Sequence, residues 1–437
     1  MPLGIFGLND VRSSLLKKRW PVKKSLDRDL LEYVECIIED VKRRGDSALI
    51  DLTAKFDGVK LSVKDLRVSR REIEEAYSKV TDEQISTIKL VKDRVERFER
   101  RILERIQFEY EDDLGVRICR EIRPIRSVGC YVPGGRMAYP STIVMTVVPA
   151  KVADVPRIVV CSPPQKDGGI NPLTLVAADI CGADEFYRVG GAQAIAALAY
   201  GTETIKPVDK IVGPGNQYVL AAKQLISSDV PIDHPAGPSE IMILADDTAN
   251  PSYIAMDLIS QAEHGADSIA ILVTTSLDVA NMTLKEITRL LDQVPNRSVV
   301  KASIEDNGFI LVAENMDEAI EFINDFAPEH LEIIAEGAHE ISKKIYSAGL
   351  ILIGHMTPVS LSDYSLGTNH VLPTGGYGRV YQSLSVLNFI KCINIAECSI
   401  RAFEELYSSA KILAESEGLL NHALAIDRRI RGWLEKG

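Results

Sequence analysis

Between Ser127 and Ile226 short apolar runs alternate with alanine- and valine-rich helical stretches, and this alternation constrains the fold more than any other feature of the chain. The runs Ser127–Val132, Arg157–Cys161, Phe186–Val189 and Lys210–Val212 are each closely followed by Gly or Pro. The segments Ser141–Val155, Leu173–Cys181, Ala192–Tyr200 and Gln217–Ile226 read as helices. Strands covered on both faces read as continuous apolar runs, so the pattern predicts a parallel sheet flanked by helices. A second series, Ile241–Ala245, Ser268–Val273, Phe309–Val312, Leu331–Ile334 and Leu350–Ile353, repeats the arrangement without any repeat in the sequence itself. The expected fold class is α/β, with two parallel-sheet units and a cleft between them.

The flanks read as helical. Leu30–Arg44 has apolar positions at helical spacing and stops at Gly45, and Thr81 with Gln84 forms a capping box ahead of a long charged helix to about Phe108. The segment from about Val386 reads as two or three helices, ending in Ser408–Lys436. At 437 residues the chain exceeds the ~250–300 residues that one core supports. The expected domains are a helical arm over 1–110, one α/β domain over 130–234, a second over 111–129 with 235–380, and a helical segment over 381–437.

Composition narrows the partners. A net charge of −12 argues against nucleic acid and anionic membranes, and the basic clusters Lys17–Arg19 and Arg100–Arg105 read as solvated helix faces. No stretch approaches ~20 uncharged apolar residues, and no secretory-signal pattern is read at the start. Seven scattered cysteines without Cys-x-x-Cys spacing suit a reduced, cytoplasmic protein whose thiols are mostly buried.

Four groups of residues carry chemistry. Glu329 and His330 follow Pro328 in Phe326–Ile333, and the proline predicts a turn into a new element. His titrates near neutrality and suits acid–base work, although an isolated Glu-His pair reads more readily as a helix-start acid and a surface imidazole. Tyr131–Gly135, Val189–Gln193 and Gly213–Asn216 are glycine-bearing turns between strand and helix, where dinucleotides bind in open α/β sheets. None is a Gly-x-Gly-x-x-Gly fingerprint, and each serves equally as a tight turn. Gln261 and His264 lie three apart on a predicted helix, and Asp363 and His370 share a later loop. With His422 in the C-terminal segment, five residues after Glu417, they form a mixed N/O set that suits Zn²⁺. Spacing alone does not assemble them.

The chain resembles the histidinol dehydrogenase family over essentially its whole length, from Gly45–Leu49 and Phe56–Gly58 to Glu417–His422. The most specific stretches are Tyr131–Gly135, Gly190–Ala197, Gly213–Asn216, Pro235–Glu240, Ser260–Asp267, Phe326–Leu331 and Gly367–Thr374. The resemblance implies two Rossmann-like domains similar to those of aldehyde dehydrogenases. It implies one zinc per subunit on Gln261, His264, Asp363 and His422, and NAD at Tyr131, Gln193 and Asn216. Substrate would be met by these zinc ligands with Ser239, His330 and Glu417, and Glu329 and His330 would be the acid–base pair. It further implies a homodimer in which the C-terminal segment completes the other subunit's site. Four positions depart from the family pattern: Ser362 replaces Gly before Asp363, no acid lies in Pro358–Leu361, His234 stands where many members have Met, and Asn388 stands where Asp is common.

The activity so implied is a four-electron oxidation of L-histidinol to L-histidine through L-histidinaldehyde. The rivals are a paralogue oxidising another small polar alcohol, such as a sulfonated diol, a covalent route through Cys130 or Cys161, and a catalytically silent assembly protein. Ser239 and Glu417 favour an imidazole-bearing amino alcohol, because a carboxylate suits a cation better than a sulfonate.

Overall fold

The computed structural model describes residues 3–17, 28–135, 138–235 and 237–434. Part of the Lys17–Arg19 cluster, Ala236 of the Pro235–Glu240 motif and the end of the expected C-terminal helix lie outside these residues. Among the described residues the strands are β1 Ile5–Gly7, β2 Phe108–Glu111, β3 Val116–Pro124, β4 Ser127–Tyr131, β5 Arg157–Ser162, β6 Glu185–Arg188, β7 Ile211–Val212, β8 Glu240–Ala245, β9 Ile269–Thr274, β10 Gly308–Val312, β11 His330–Ile334, β12 Leu350–Ile353 and β13 Ile390–Cys398.

Two sheets are wholly parallel, with strand orders β6-β5-β4-β7 and β1-β10-β9-β8-β11-β12. Their central strands are buried along their full length, which is why they read as unbroken apolar runs. Each sheet has a switch point where successive strands change from being added on one side to being added on the other. These lie between β4 and β7 and between β8 and β11, and such points open a crevice. The helices between strands start where side chains cap the free N–H groups. Asn171, Asn216, Asn250, Ser276 and Asn315 each accept a first-turn N–H.

The third sheet, β13-β3-β2, is antiparallel. It belongs with the last two helices, Ile400–Ser416 and Leu420–Leu434, to a unit made of Arg101–Pro124 and Ile390–Gly437, while Met1–Arg100 and Ile125–Phe389 form the other unit. The sequence reading differs here in three ways. The segment read as helical from about Val386 opens with only a short 3-10 turn, Val386–Phe389, and continues as a strand, β13, because nine residues pair with β3. Residues 116–124 pair with that strand rather than joining the second α/β domain. The expected single helix from Ser408 is broken at Gly418, whose φ of +74° is left-handed.

The N-terminal residues are not a detached helical arm. β1 extends the six-stranded sheet in parallel with β10, and Leu8 and Val11 of the following helix enter that sheet's core. Val34, Ile37, Ile38 and Val41 of helix Arg28–Arg44 pack with Val159, Ile195 and Leu198 of the four-stranded sheet's core. The capping box is present, with Thr81 N–H donating to Gln84 Oε1 and Gln84 N–H to Thr81 Oγ1. All seven cysteines are free, but only Cys130, Cys161 and Cys181 are buried, and Cys36, Cys392 and Cys398 are exposed. Among the described residues no helix is long and apolar enough to cross a membrane.

Candidate active site

The Glu329–His330 pair is positioned by a strained turn. Helix Met316–Phe326 ends at Ala327, which sits in the left-handed region at φ 53° and ψ 68°, a cost on the order of 1 kcal/mol for a residue with a Cβ. Pro328 follows, Glu329 completes the turn, and His330 opens β11. Both side chains are thereby aimed at the backbone of Glu240, the first residue of β8. Glu329 Oε2 accepts the Glu240 N–H at 2.7 Å, and His330 Nδ1 lies 3.3 Å from the Glu240 carbonyl oxygen. A carbonyl only accepts, so this contact assigns hydrogen to Nδ1 and leaves Nε2 as the reactive nitrogen. The pair sits at the N-terminal end of the β8–β11 switch point rather than at the carboxyl ends of its strands.

His330 is buried, and its Nε2 has no hydrogen-bond partner. That atom lies 3.6 Å from Asp363 Oδ1, while Nδ1 lies 3.5 Å from Glu329 Oε2. Burial disfavours the imidazolium, but the Glu329 charge and hydrogen bond, with the Asp363 charge, outweigh it and raise the pKa to about 9. Asp363 lies in the short helix Val359–Tyr364, and its backbone carbonyl accepts from His370 Nδ1 at 2.7 Å. The expected Asp363–His370 pairing thus runs through the backbone. Burial lowers the His370 pKa, so that imidazole is neutral.

Gln261 is buried in the last turn of helix Pro251–Ala262, and its Oε1 has no partner. The helix stops at Ala262, so His264 lies just past its end and is exposed, rather than sharing a helix face with Gln261. This helix packs against the Asp363 helix. Among the described residues no three His, Cys, Asp or Glu side chains are arranged to hold a metal ion. The donor set nevertheless fits zinc: a buried amide oxygen without a donor is what a cation would satisfy, and a carboxylate stands on the adjoining helix. Glu417 and His422 are exposed on the C-terminal helices of the other unit. Ser239 is half-buried directly before Glu240, and its carbonyl accepts the Ile269 N–H at 2.9 Å.

The three glycine turns converge at the carboxyl ends of the smaller sheet. The Gly191 N–H donates to Tyr131 Oη at 3.1 Å, linking the turn after β6 to the end of β4. At Gly213, after β7, a Cβ would stand 2.0 Å from the Tyr131 carbonyl oxygen, and φ is +114°, so only glycine fits. A buried ion pair clamps this turn: Lys223 Nζ reaches Asp233 Oδ1 at 2.5 Å and donates to the Gly213 carbonyl at 2.8 Å, and the Gly213 N–H donates to Asp233 Oδ2 at 2.8 Å. Gln193 is buried with an unpartnered Oε1. Asn216 is exposed and caps helix Gln217–Ile226, leaving its NH₂ group available. Tyr131, Gln193 and Asn216 therefore belong to neighbouring turns at one switch point. Asn369, in the loop after the Asp363 helix, donates from Nδ2 to the carbonyl of Met145 in helix Pro140–Val152 at 2.7 Å.

The departing positions are accommodated. Ser362 is buried, and its hydroxyl donates to the Val359 carbonyl at 2.8 Å. Asn388 Oδ1 accepts the Ser385 N–H, and His234 Nε2 lies 3.2 Å from the Val371 carbonyl oxygen. Three groups near the site escaped the sequence reading: Glu240, Asp257 and Glu332. The signal for Glu332 was present, since an acid two residues after His330 in an apolar strand must face the same side as the imidazole.

A sequence model of the family described as histidinol dehydrogenase matches residues 22–430. The chain is 46% identical over 403 residues to a histidinol dehydrogenase of Methanothermobacter thermautotrophicus, covering 92% of this chain and 94% of the relative. It is 45% identical over 417 residues to that of Bacillus subtilis, covering 95% and 97%. The crystal structure of histidinol dehydrogenase from Elizabethkingia anophelis superposes with a TM-score of 0.93 at 39% identity, covering 99% of this chain and 98% of that one.

Proposed function

The chain belongs to the histidinol dehydrogenase family, and we propose that it oxidises L-histidinol to L-histidine through L-histidinaldehyde, with NAD as oxidant and zinc as resident metal. The observation that carries this reading is the buried, unpartnered Nε2 of His330 beside Asp363, with Nδ1 turned to a carbonyl. NAD would supply a hydride acceptor for each of the two oxidations, and Gln261, His264, Asp363 and His422 would hold a zinc ion that would supply a template for the substrate. In the first oxidation His330 Nε2, in the neutral imidazole, takes the hydroxyl proton as the C–H bond breaks, so the step quickens as pH rises towards about 9. In the second, Glu329 takes a proton from water as the water oxygen adds to the aldehyde carbon, His330 returns the proton gained in the first step to the aldehyde oxygen, and its freed Nε2 takes a hydroxyl proton again as the C–H bond of the hydrate breaks. One base suffices for an alcohol, whereas an aldehyde needs a positioned water as well.

Tyr131, Gln193 and Asn216 hold the cofactor, within a NAD domain of residues 130–234. Ser239 contacts the substrate. The exposed Glu417 and His422 are supplied across the subunit boundary of a homodimer. A thiol mechanism is disfavoured, because Cys130 is buried and burial pushes its thiol up to about 12. The test is NADH formation followed by absorbance with L-histidinol, before chelation, after it and after zinc is restored. No absorbance change with zinc present overturns the assignment.

A further inference from the structure

Three elements carry the residues assigned above, and one pair of acids joins them. Glu332 lies two residues after His330 on β11 and so faces the same side of the strand. Its Oε1 accepts the Val359 N–H at 2.6 Å, the first N–H of the helix that carries Asp363. Its Oε2 is buried and has no N–H or O–H donor. The carboxyl of Asp257, one turn before Gln261 on the same helix face, stands beside that of Glu332, which feels its charge. Two carboxylates in such contact cannot both be ionised, and a hydrogen bond between them requires a proton on one. We propose that Asp257 and Glu332 share one proton and together fix the relative positions of the Gln261 helix, the His330 strand and the Asp363 helix.

These are positioning residues, and their role rests on reading Gln261 and Asp363 as zinc ligands and His330 as the base. The environment agrees with the geometry. Burial, followed by the charge of Asp257, pushes the Glu332 carboxyl up to about 8, and burial pushes Asp257 up to about 6. The remaining contacts are accounted for: Ser260 Oγ donates to the Asp257 carbonyl, and Glu332 also feels His330. An ionised pair here would repel across the junction of the three elements, whereas the shared proton turns the contact into a tie.

The purified full chain provides the test. Glu332→Ala and Asp257→Ala are expected to lower zinc affinity about 10- to 100-fold in a chelator competition and to reduce kcat, with KM for NAD unchanged. Glu332→Gln is expected to restore both, because its amide oxygen still accepts the Val359 N–H and its NH₂ donates to Asp257. At neutral pH the infrared difference spectra of wild type against Glu332→Gln and against Asp257→Asn are each expected to show the carbonyl stretch of a buried protonated carboxyl. Hydrogen exchange in the segment containing Val359 is expected to speed up in Glu332→Ala and not in Glu332→Gln. Unchanged zinc affinity in folded alanine variants, failure of Gln to rescue, or absence of the infrared band overturns the proposal. A wild-type protein that takes up no zinc instead overturns the metal reading, and the infrared and exchange arms then decide the pair by themselves. If Glu332→Ala does not fold, Asp257→Ala and the infrared comparison of the amide variants decide it.

Discussion

Glu329 Oε2 accepts the backbone N–H of Glu240 at 2.7 Å, so the acid beside His330 is tethered to the first peptide of a neighbouring strand. One carboxylate oxygen is committed to structure, and the other remains to orient a water. The adjacent imidazole is held to the same residue through its carbonyl. Acid and base therefore share one rigid reference, which is what proton transfer at a fixed atom requires.

Glu329→Gln should preserve that tether, because an amide oxygen also accepts the Glu240 N–H, while losing the ability to take a proton from water. Aldehyde oxidation should fall about a hundred- to ten-thousandfold and alcohol oxidation much less. Assaying the two half-reactions separately with L-histidinol and L-histidinaldehyde checks this. Equal losses in both would count against a special role in the second step.

His330→Asn should damage both half-reactions by a comparable factor, since the same Nε2 serves each. Single-turnover rates with the alcohol are the decisive measurement. An unchanged rate would remove His330 from the first oxidation.

Gln261→Met tests the orphaned amide oxygen. In metal-free protein the variant should melt no lower than wild type, because a buried polar atom without a partner costs about 1–3 kcal/mol and is removed. Its zinc affinity should nevertheless drop at least tenfold. Calorimetry of the metal-free forms and a zinc competition titration separate the two effects. Lower stability with unchanged zinc uptake would mean the amide serves packing instead.

How much of this was legible in the sequence depended on burial. The strands of the two parallel sheets stand out because covered strands are apolar throughout, and Leu350–Ile353 is read at its observed bounds. β13 was missed because its residues are largely exposed, so neither a continuous apolar run nor a clean alternation marks it. β1, at three residues, carries too little pattern to be recognised. The turn before Glu329 was legible from Pro328. Its contact with Glu240 was not, because 89 positions separate the partners and no local rule links them. The resemblance grouped the site residues, whereas the burial of Glu332 against Asp257 is visible only in three dimensions.

Glu99 gives a pH-dependent prediction away from the site. It is fully buried, its Oε2 accepts the Val386 N–H at 2.7 Å, and burial pushes its pKa from 4.5 to about 7. A carboxyl raised in the folded state is stabilising while protonated, so stability is full below pH 4.5 and lost as pH rises through about 7. The loss is on the order of 3 kcal/mol. Glu99→Gln keeps the acceptor and has no charge to bury, so its urea midpoint should pull ahead of wild type across that window. Parallel pH profiles for the two proteins would contradict the assignment.

Gly213→Ala should weaken NAD binding and destabilise the fold, because the added Cβ meets the Tyr131 carbonyl oxygen and the φ of +114° disfavours any side chain. Fluorescence titration with NAD, alongside a thermal melt, reads both effects. Native affinity in the variant would show that the turn can relax without consequence.

The pairing of β1 with β10 has a consequence for synthesis. Ile5 aligns with Ile310 and Gly7 with Val312, so the N-terminal strand has no partner until roughly 300 further residues have been made. At about 5–20 residues per second, Leu8 and Val11 wait for something like 15 to 60 s before the surface that buries them exists. During that interval the four-stranded sheet can already close around its own core. The strand Ile5–Gly7 and the helix after it thus stay without their partner surface until β10 has been made.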